Sequence, residues 1–152
     1  MRIRILWVGK TRDAAAAGWI DEYRRRLARF CPIEIVEVRD AAGKGAARSS
    51  REGKTLAAKI EKRGLTVALD ESGREMSSEE LARWLGKTRE SRGEITFLLG
   101  GPDGLGDGLA GTAGLTLSLS RLTFTHEMAR VLLLEQLYRA FTILEGTPYH
   151  RS

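Results

Sequence analysis

Glycines 100, 101 and 104, in the run Leu98-Leu99-Gly100-Gly101-Pro102-Asp103-Gly104, are where this sequence most clearly invites a ligand. Lacking side chains, they allow either a tight turn or a close approach of the backbone to a bound molecule. They do not spell the G-x-G-x-x-G of a dinucleotide-binding domain or the G-x-x-x-x-G-K-[ST] of a phosphate loop, and Gly9-Lys10-Thr11 carries neither pattern. A standard NAD or ATP enzyme is therefore disfavoured. His126 and His150 lie at opposite ends of a helical stretch, without the i, i+4 spacing of a zinc pair, and Cys31 is the single cysteine. Metal catalysis has no support, and no G-x-S-x-G elbow exists to present a nucleophilic serine.

These residues belong to a chain of 152, with 42% hydrophobic and 30% charged residues, which is the size and composition of one domain spanning 1–152. Lys and Arg number 25 against 20 Asp and Glu, a formal charge of +5 that favours an anionic partner. A lone cysteine suits a reducing compartment, with cytoplasm as the expectation. The apolar run Ile5 to Val8 is too short for a signal-peptide core, and Val131 to Leu134 is interrupted by Glu135 and Gln136, far short of the ~20 residues of a membrane helix.

The elements that must position the glycine run follow from periodicity. Ile3 to Val8 reads as a buried strand closed by Gly9-Lys10. Asp13 to Phe30 reads as a helix with Ala16, Ile20, Tyr23, Leu27 and Phe30 on one stripe; Arg24, Arg25, Arg26 and Arg29 form a solvated face or a phosphate contact. Ile33 to Val38 alternates apolar with acidic residues, so one of its faces or edges is wet. Asp40 to Arg51, with Gly43, Lys44, Gly45 and Arg48, reads as a loop, either an ordinary one or a basic one near RNA. Glu52 to Lys62 is a helix stopped by Gly64, and Leu65 to Leu69 a strand turning at Asp70-Glu71-Ser72-Gly73. Ser77 and Glu80 spell a capping box for a helix over Ser78 to Arg89. Ile95 to Leu99 and Leu115 to Leu119 are further strands, separated by the glycine-rich Gly104 to Gly114, where helix propensity is low.

The last helix, His126 to Leu144, has an apolar sector wider than one core stripe, with Leu133, Leu137 and Ile143 among its members. Such a helix is either buried wholly in its own domain or shared with a second copy of the chain. Strands alternating with helices give an α/β domain, a largely parallel sheet with helices on both faces, whose ligands bind beyond the strands' carboxyl ends. The loops after Leu69, Leu99 and Leu119 should converge on one pocket.

Four blocks in order, 98–104, Leu117-Ser-Leu-Ser-Arg-Leu-Thr-Phe124, His126-Glu-Met-Ala-Arg130 running to Leu134-Glu-Gln-Leu-Tyr-Arg-Ala140, and Pro148-Tyr149-His150, resemble the ribosomal RNA large-subunit methyltransferase H family of the SPOUT class. The resemblance spans nearly the whole chain. It implies a C-terminal trefoil knot, S-adenosyl-L-methionine as cofactor, and contacts to it from Leu69, Gly100, Leu119, Ser120, Arg121, Leu122, Thr123 and Phe124. The family's proline before the helix histidine is replaced by Thr125, which can serve as an N-cap.

The reaction so implied is methylation of N3 of the pseudouridine at position 1915 of 23S ribosomal RNA, within the ribosome, by a homodimer. His150 would accept the N3 proton or orient the base, with Arg139 and Tyr149 binding phosphate or stacking on the nucleotide. Gly146 and Pro148 would end the helix beside the pocket and let this tail close over RNA. Two other readings stay open from the residues: a non-catalytic basic RNA-binding or ribosome-associated module, separable by cofactor affinity, and a SPOUT enzyme acting on transfer RNA, separable by substrate.

Overall fold

The computed structural model describes residues 1–151. In chain order the elements are β1 (Arg2–Val8), α1 (Ala14–Leu27), β2 (Ile33–Val38), α2 (Gly45–Ala57), β3 (Leu65–Glu75), α3 (Ser78–Ser91), β4 (Glu94–Leu99), α4 (Asp107–Ala110), β5 (Leu115–Ser118) and α5 (His126–Leu144). The five strands form one sheet in the order β2-β1-β4-β3-β5, and every pairing is parallel. Alternation along the strands divides the core in two. Ile3, Ile5 and Trp7 of β1, with Ile95, Phe97 and Leu99 of β4, pack under α1, α3 and α5; Leu6, Val8 and Leu98 pack under α2 and α4. Helices on both faces, as the element order implied, are what an all-parallel sheet requires.

Local chemistry sets the helix starts. Asp13 accepts from the Ala16 amide at 2.8 Å. Ser77 and Glu80 close the capping box in both directions. Thr125 accepts from the Met128 amide at 3.2 Å, so it caps α5 as expected for the residue standing in the proline's place.

Three local expectations need correction. The 40–51 stretch is not a loop throughout, because α2 begins at Gly45, takes in Arg48 and Arg51, and ends at Ala57 rather than Lys62. Its early start comes from tertiary contact: Ser49, Glu52, Gly53 and Leu56 are its buried side. At Gly53 a Cβ would stand 3.0 Å from the Leu105 carbonyl. Next, β3 does not stop at Leu69; an irregularity between Leu69 and Arg74 absorbs the Asp70-Gly73 segment, and pairing with β5 resumes at Arg74. The glycine-rich 104–114 segment holds the short α4, anchored by Leu105 and Leu109 in the second core. On the other side β5 ends at Ser118, leaving Leu119 as the first loop residue.

The apolar sector of α5 is also resolved. Leu133, Leu134, Leu137, Ala140 and Phe141 are fully buried against the chain's own sheet and helices, so Leu133 and Leu137 are not an uncovered patch demanding a second subunit.

At Gly73 an added Cβ would lie 2.7 Å from the Thr116 carbonyl carbon and 2.8 Å from the Leu117 amide nitrogen, so β5 is seated by the absence of a side chain there. Gly18, mid-helix and open to solvent, meets nothing within 4 Å. Gly73→Ala is expected to destabilise by about 1–3 kcal/mol, while Gly18→Ala should stabilise by about 0.5–1 kcal/mol. Denaturant midpoints check both, and a wild-type midpoint for Gly73→Ala contradicts the close seating of β5.

Candidate active site

The carboxyl ends of β3, β4 and β5 deliver three loops to one cleft of about 970 Å³, as the loop positions implied. Leu69, Gly100, Leu119, Ser120, Leu122, Thr123 and Phe124 all line it, together with Asp70, Glu71 and the first turn of α5 from His126 to Ala129. Arg121 does not: its side chain is 87% exposed and turns outward to Glu75 at 3.2 Å. Membership of the 119–124 run therefore does not by itself imply facing the cleft.

Hydrogen bonds hold the loops internally and join the third to the first. The Ser118 hydroxyl donates to the Ser120 carbonyl at 2.9 Å, and the Leu122 amide donates to Ser120 Oγ at 3.0 Å. Thr123 Oγ1 donates to Glu71 at 2.9 Å, joining the third loop to the first. In the glycine loop the Gly104 amide donates to the Gly101 carbonyl at 3.0 Å. Gly104 takes φ of +80°, the left-handed region that glycine adopts without penalty. Gly100 is required for a reason other than ligand approach: its Cβ would fall 2.2 Å from the Gly104 carbonyl carbon, inside its own loop.

Beneath this loop lies a polar cluster that sequence reading missed. Glu52 is 1% exposed; its Oε1 accepts from the Ala41 amide and from Arg48 Nε, each at 3.0 Å. Its Oε2 has no hydrogen-bond partner among the described residues and faces the loop, since a Cβ at Gly101 would lie 3.4 Å from it. Arg48 also approaches Asp40 at 3.7 Å and Asp103 at 3.8 Å. Arg48 is thus occupied inwardly, tying the glycine loop to the segment after β2, and is not part of a free basic loop. The available signal was Glu52 standing four residues before Leu56, on the buried stripe of an amphipathic helix.

A second missed residue is Arg130, fully buried, which donates to Thr11 Oγ1 at 2.9 Å and to the Val8 carbonyl, and stacks over Trp7 with 4.9 Å to the ring centroid. Its position on the stripe Arg130, Leu134, Leu137, Phe141 marked it as an inward-facing cation. Burial lowers its pKa, and burial with the neighbouring Arg130 charge lowers that of His126. The His126 imidazole at the cleft wall is therefore neutral near pH 7. Glu127 accepts from the Arg12 and Asp13 amides, fixing the start of α1 to the start of α5.

Arg139, Tyr149 and His150 are brought together, but away from this cleft. About three helical turns, roughly 16 Å, separate Met128 from Arg139 along α5, and none of the three lines the cleft. The tail instead folds onto α1, α3 and α5 of its own chain. Tyr149 donates to Glu135 at 3.1 Å and shares a 3.2 Å hydroxyl contact with Tyr23. His150 Nε2 is 2.7 Å from Glu79, and its Nδ1 3.3 Å from Arg139. Burial first, then the Tyr23 and Glu135 bonds, raise the Tyr149 pKa, so the phenol stays protonated and acts as a donor. Glu79 is held down to about 2 by its own backbone amide, then His150 and Ser77. On α1, the arginine cluster is largely compensated: Arg24 pairs with Asp21 at 2.8 Å, and Arg25 and Arg26 share Glu22. Among the described residues no group of His, Cys, Asp and Glu is arranged to hold a metal ion, and no helix is long and apolar enough to cross a membrane.

Comparison with known proteins gives one consistent result. A family model described as "Predicted SPOUT methyltransferase" matches residues 1–150. The chain is 47% identical to a protein of Geotalea daltonii named ribosomal RNA large subunit methyltransferase H, over 99% of both chains. It is equally, 47%, identical to a protein of that name from Geobacter metallireducens over the full length of each, and 42% identical to one from Geobacter sulfurreducens over 99% of each.

Removal of the Glu52 side chain should expose the dependence of the glycine loop on the cluster below it. Glu52→Ala leaves Arg48 and the Ala41 amide short of a buried partner and is expected to cost about 2–4 kcal/mol, with faster amide exchange at Gly104 and Leu105. Glu52→Gln, which keeps Oε1, should cost clearly less. Equal stability of wild type and Glu52→Ala would remove this cluster from any positioning role.

Proposed function

The chain belongs to the SPOUT methyltransferase family, in its ribosomal RNA large-subunit methyltransferase H branch, and we propose that it methylates large-subunit ribosomal RNA, taking the methyl group from S-adenosylmethionine and placing it on N3 of a pseudouridine. The observation that carries this reading is the convergence of the three carboxyl-end loops on one cleft in a chain similar over its whole length to proteins of that name. We infer further that the C-terminal segment is knotted, that the protein works as a homodimer in the cytoplasm, and that the tail of one subunit serves the cleft of the other.

The cleft suits the cofactor. Its volume falls within the ~300–1,000 Å³ usual for nucleoside-sized ligands, with apolar walls from Leu69, Leu119 and Leu122 and backbone donors and acceptors from the glycine loop. S-adenosylmethionine supplies a methyl group already activated on a sulfonium. The chain's task is positioning, which in favourable cases recovers ~7–11 kcal/mol of barrier by holding nucleophile and electrophile in line. Gly100 and the 119–124 loop would set the cofactor's place, and the neutral His126 leaves the wall free of added positive charge. N3 must also lose its proton. His150 accepts it or orients the base, Tyr149 remains a hydrogen-bond donor, and Arg139 holds phosphate.

Two features support action of the tail in trans. Arg139 sits about three turns along α5 from the cleft, and Tyr149 and His150 of the tail fold beside it, so none of the three lines the chain's own cleft. The mouth of that cleft is apolar and open, with Leu122 72%, Met128 50% and Phe124 36% exposed, and Trp19 is 52% exposed on α1. These residues, and not the buried Leu133 and Leu137, are the surface on which a second subunit would close.

With labelled S-adenosylmethionine, purified protein should label intact ribosomes or large subunits at a pseudouridine N3 and leave transfer RNA unlabelled; labelling of transfer RNA, or none, overturns the proposal. His150→Ala is expected to slow single-turnover transfer by about 10²-fold with unchanged cofactor affinity and melting temperature. Rates near wild type would reduce the tail to a structural element. Mixing a Gly100→Val subunit with one truncated after Thr147 should restore a composite site if the tail acts in trans, and no rescue would place it in cis.

A further inference from the structure

A second concavity, of about 1,120 Å³, opens at the carboxyl ends of β1 and β2 beside α1. Its wall is apolar: Ile33 and Ile35 of the edge strand β2 are half-buried, and Ile20 and Trp7 lie behind them. The indole N–H of Trp7 is buried without an acceptor among the described residues. The rim is charged and asymmetric. Asp21 is paired with Arg24 at 2.8 Å, and Asp40 approaches Arg48 at 3.7 Å. Lys10, Arg12 and Arg39 are exposed and, among the described residues, have no carboxylate within 4.0 Å. Glu37, in register with Trp7, is exposed and also lacks an ion-pair partner.

The concavity is continuous in chain with the candidate active cleft. Arg12 belongs to the rim of one, and the next residue, Asp13, lines the other. Uncompensated cations along a rim, an apolar wall behind them and a single unpaired acceptor are the ingredients of single-stranded RNA binding: phosphates take the cations, an unstacked base takes the wall, and a carboxylate accepts from an exocyclic amine. The paired Arg24, Arg25 and Arg26 of α1 offer less of this attraction, having neighbours that already neutralise them.

We propose that this groove is a subsite for a nucleotide flanking the methylated one, with its phosphate on Lys10, Arg12 and Arg39 and its base against Ile33 and Ile35. The proposal rests on the RNA-methyltransferase reading and adds to it the path of the strand, across the carboxyl edge of the sheet from β3–β5 to β1–β2. Such a path makes recognition depend on unpaired sequence next to the target.

The test uses the full chain with intact ribosomes and with a protein-free ribosomal RNA fragment containing the target. Lys10→Gln/Arg12→Gln/Arg39→Gln should raise KM for either substrate at least tenfold. It should also flatten the dependence of log affinity on log salt by about 2, the value for three phosphate contacts to a single strand, with S-adenosylhomocysteine affinity unchanged. Ala17→Phe, which fills the groove from α1 without altering charge, should raise KM as well. As a control, Arg29→Gln/Lys62→Gln/Arg63→Gln removes equal charge elsewhere. Equal losses in the two triple variants, or a wild-type KM for Ala17→Phe, overturn the subsite, as does a defect seen with ribosomes but not with protein-free RNA, which would mean a protein partner. Methylation that proceeds in every variant sinks this inference alone, whereas a wild-type protein that transfers no methyl group sinks the parent reading.

Discussion

Arg130 places a full positive charge in the interior with no carboxylate within 4.0 Å among the described residues, and much of the architecture around the cleft follows from how that charge is accommodated. Removing a guanidinium from water costs several kcal/mol even after relaxation. Here the Val8 carbonyl, the Thr11 hydroxyl and the face of Trp7 offset that cost. All three belong to the end of β1 and the turn after it. The arrangement therefore pins the first turns of α5 to β1, next to the centre strand of the sheet. Because the 119–125 loop runs directly into α5, its far end is fixed by the same contact. Glu127, one turn before, adds the start of α1 to the same junction.

On the opposite face of the sheet the glycine loop is held by different means. Glu52 and Arg48 reach it from below, Gly53 admits the Leu105 carbonyl, and Gly100 makes room for Gly104. One side of the cleft is thus set by a buried cation on an apolar helix and the other by a buried carboxylate on an amphipathic one. Neither residue touches the cleft. Small and apolar residues share the lining with Asp13, Asp70, Glu71, His126 and Glu127, while the two buried charges that set its walls lie a layer behind, where their fixed hydrogen bonds do not compete with a ligand.

Much of this was legible in order along the chain. Apolar runs located β1, β2, β4 and β5 closely and the start of β3, the Ser77 and Glu80 pair marked α3, and the interval from Thr125 to Gly146 delimited α5, because each of these signals is local. The 45–51 part of α2 was not legible: its glycines and charges resemble a loop, and what makes it helical is the burial of Ser49 and Glu52 against distant segments. The Asp70-Glu71-Ser72-Gly73 turn signal was correct in itself but silent about the resumption of pairing at Arg74, which depends on β5 lying alongside. At the site, convergence of the three loops followed from strand polarity, whereas the outward turn of Arg121 and the distance of Tyr149 and His150 from the cleft are facts of three-dimensional direction that spacing does not carry.

The strand order β2-β1-β4-β3-β5 bears on how the chain comes to be folded as it is made. β1 and β3 are never neighbours; β4 stands between them, so synthesis must pass Leu99 before the sheet's middle can close. Until α5 follows, Ile5, Phe97 and Val67 lack part of their cover, and that helix ends only at Leu144. Vectorial, piecewise folding from the amino terminus is therefore of little use to this protein. Its apolar strands must wait, partly uncovered, for α5 to leave the exit tunnel, a period in which holding chaperones have most to offer and unpaired strand edges most to lose.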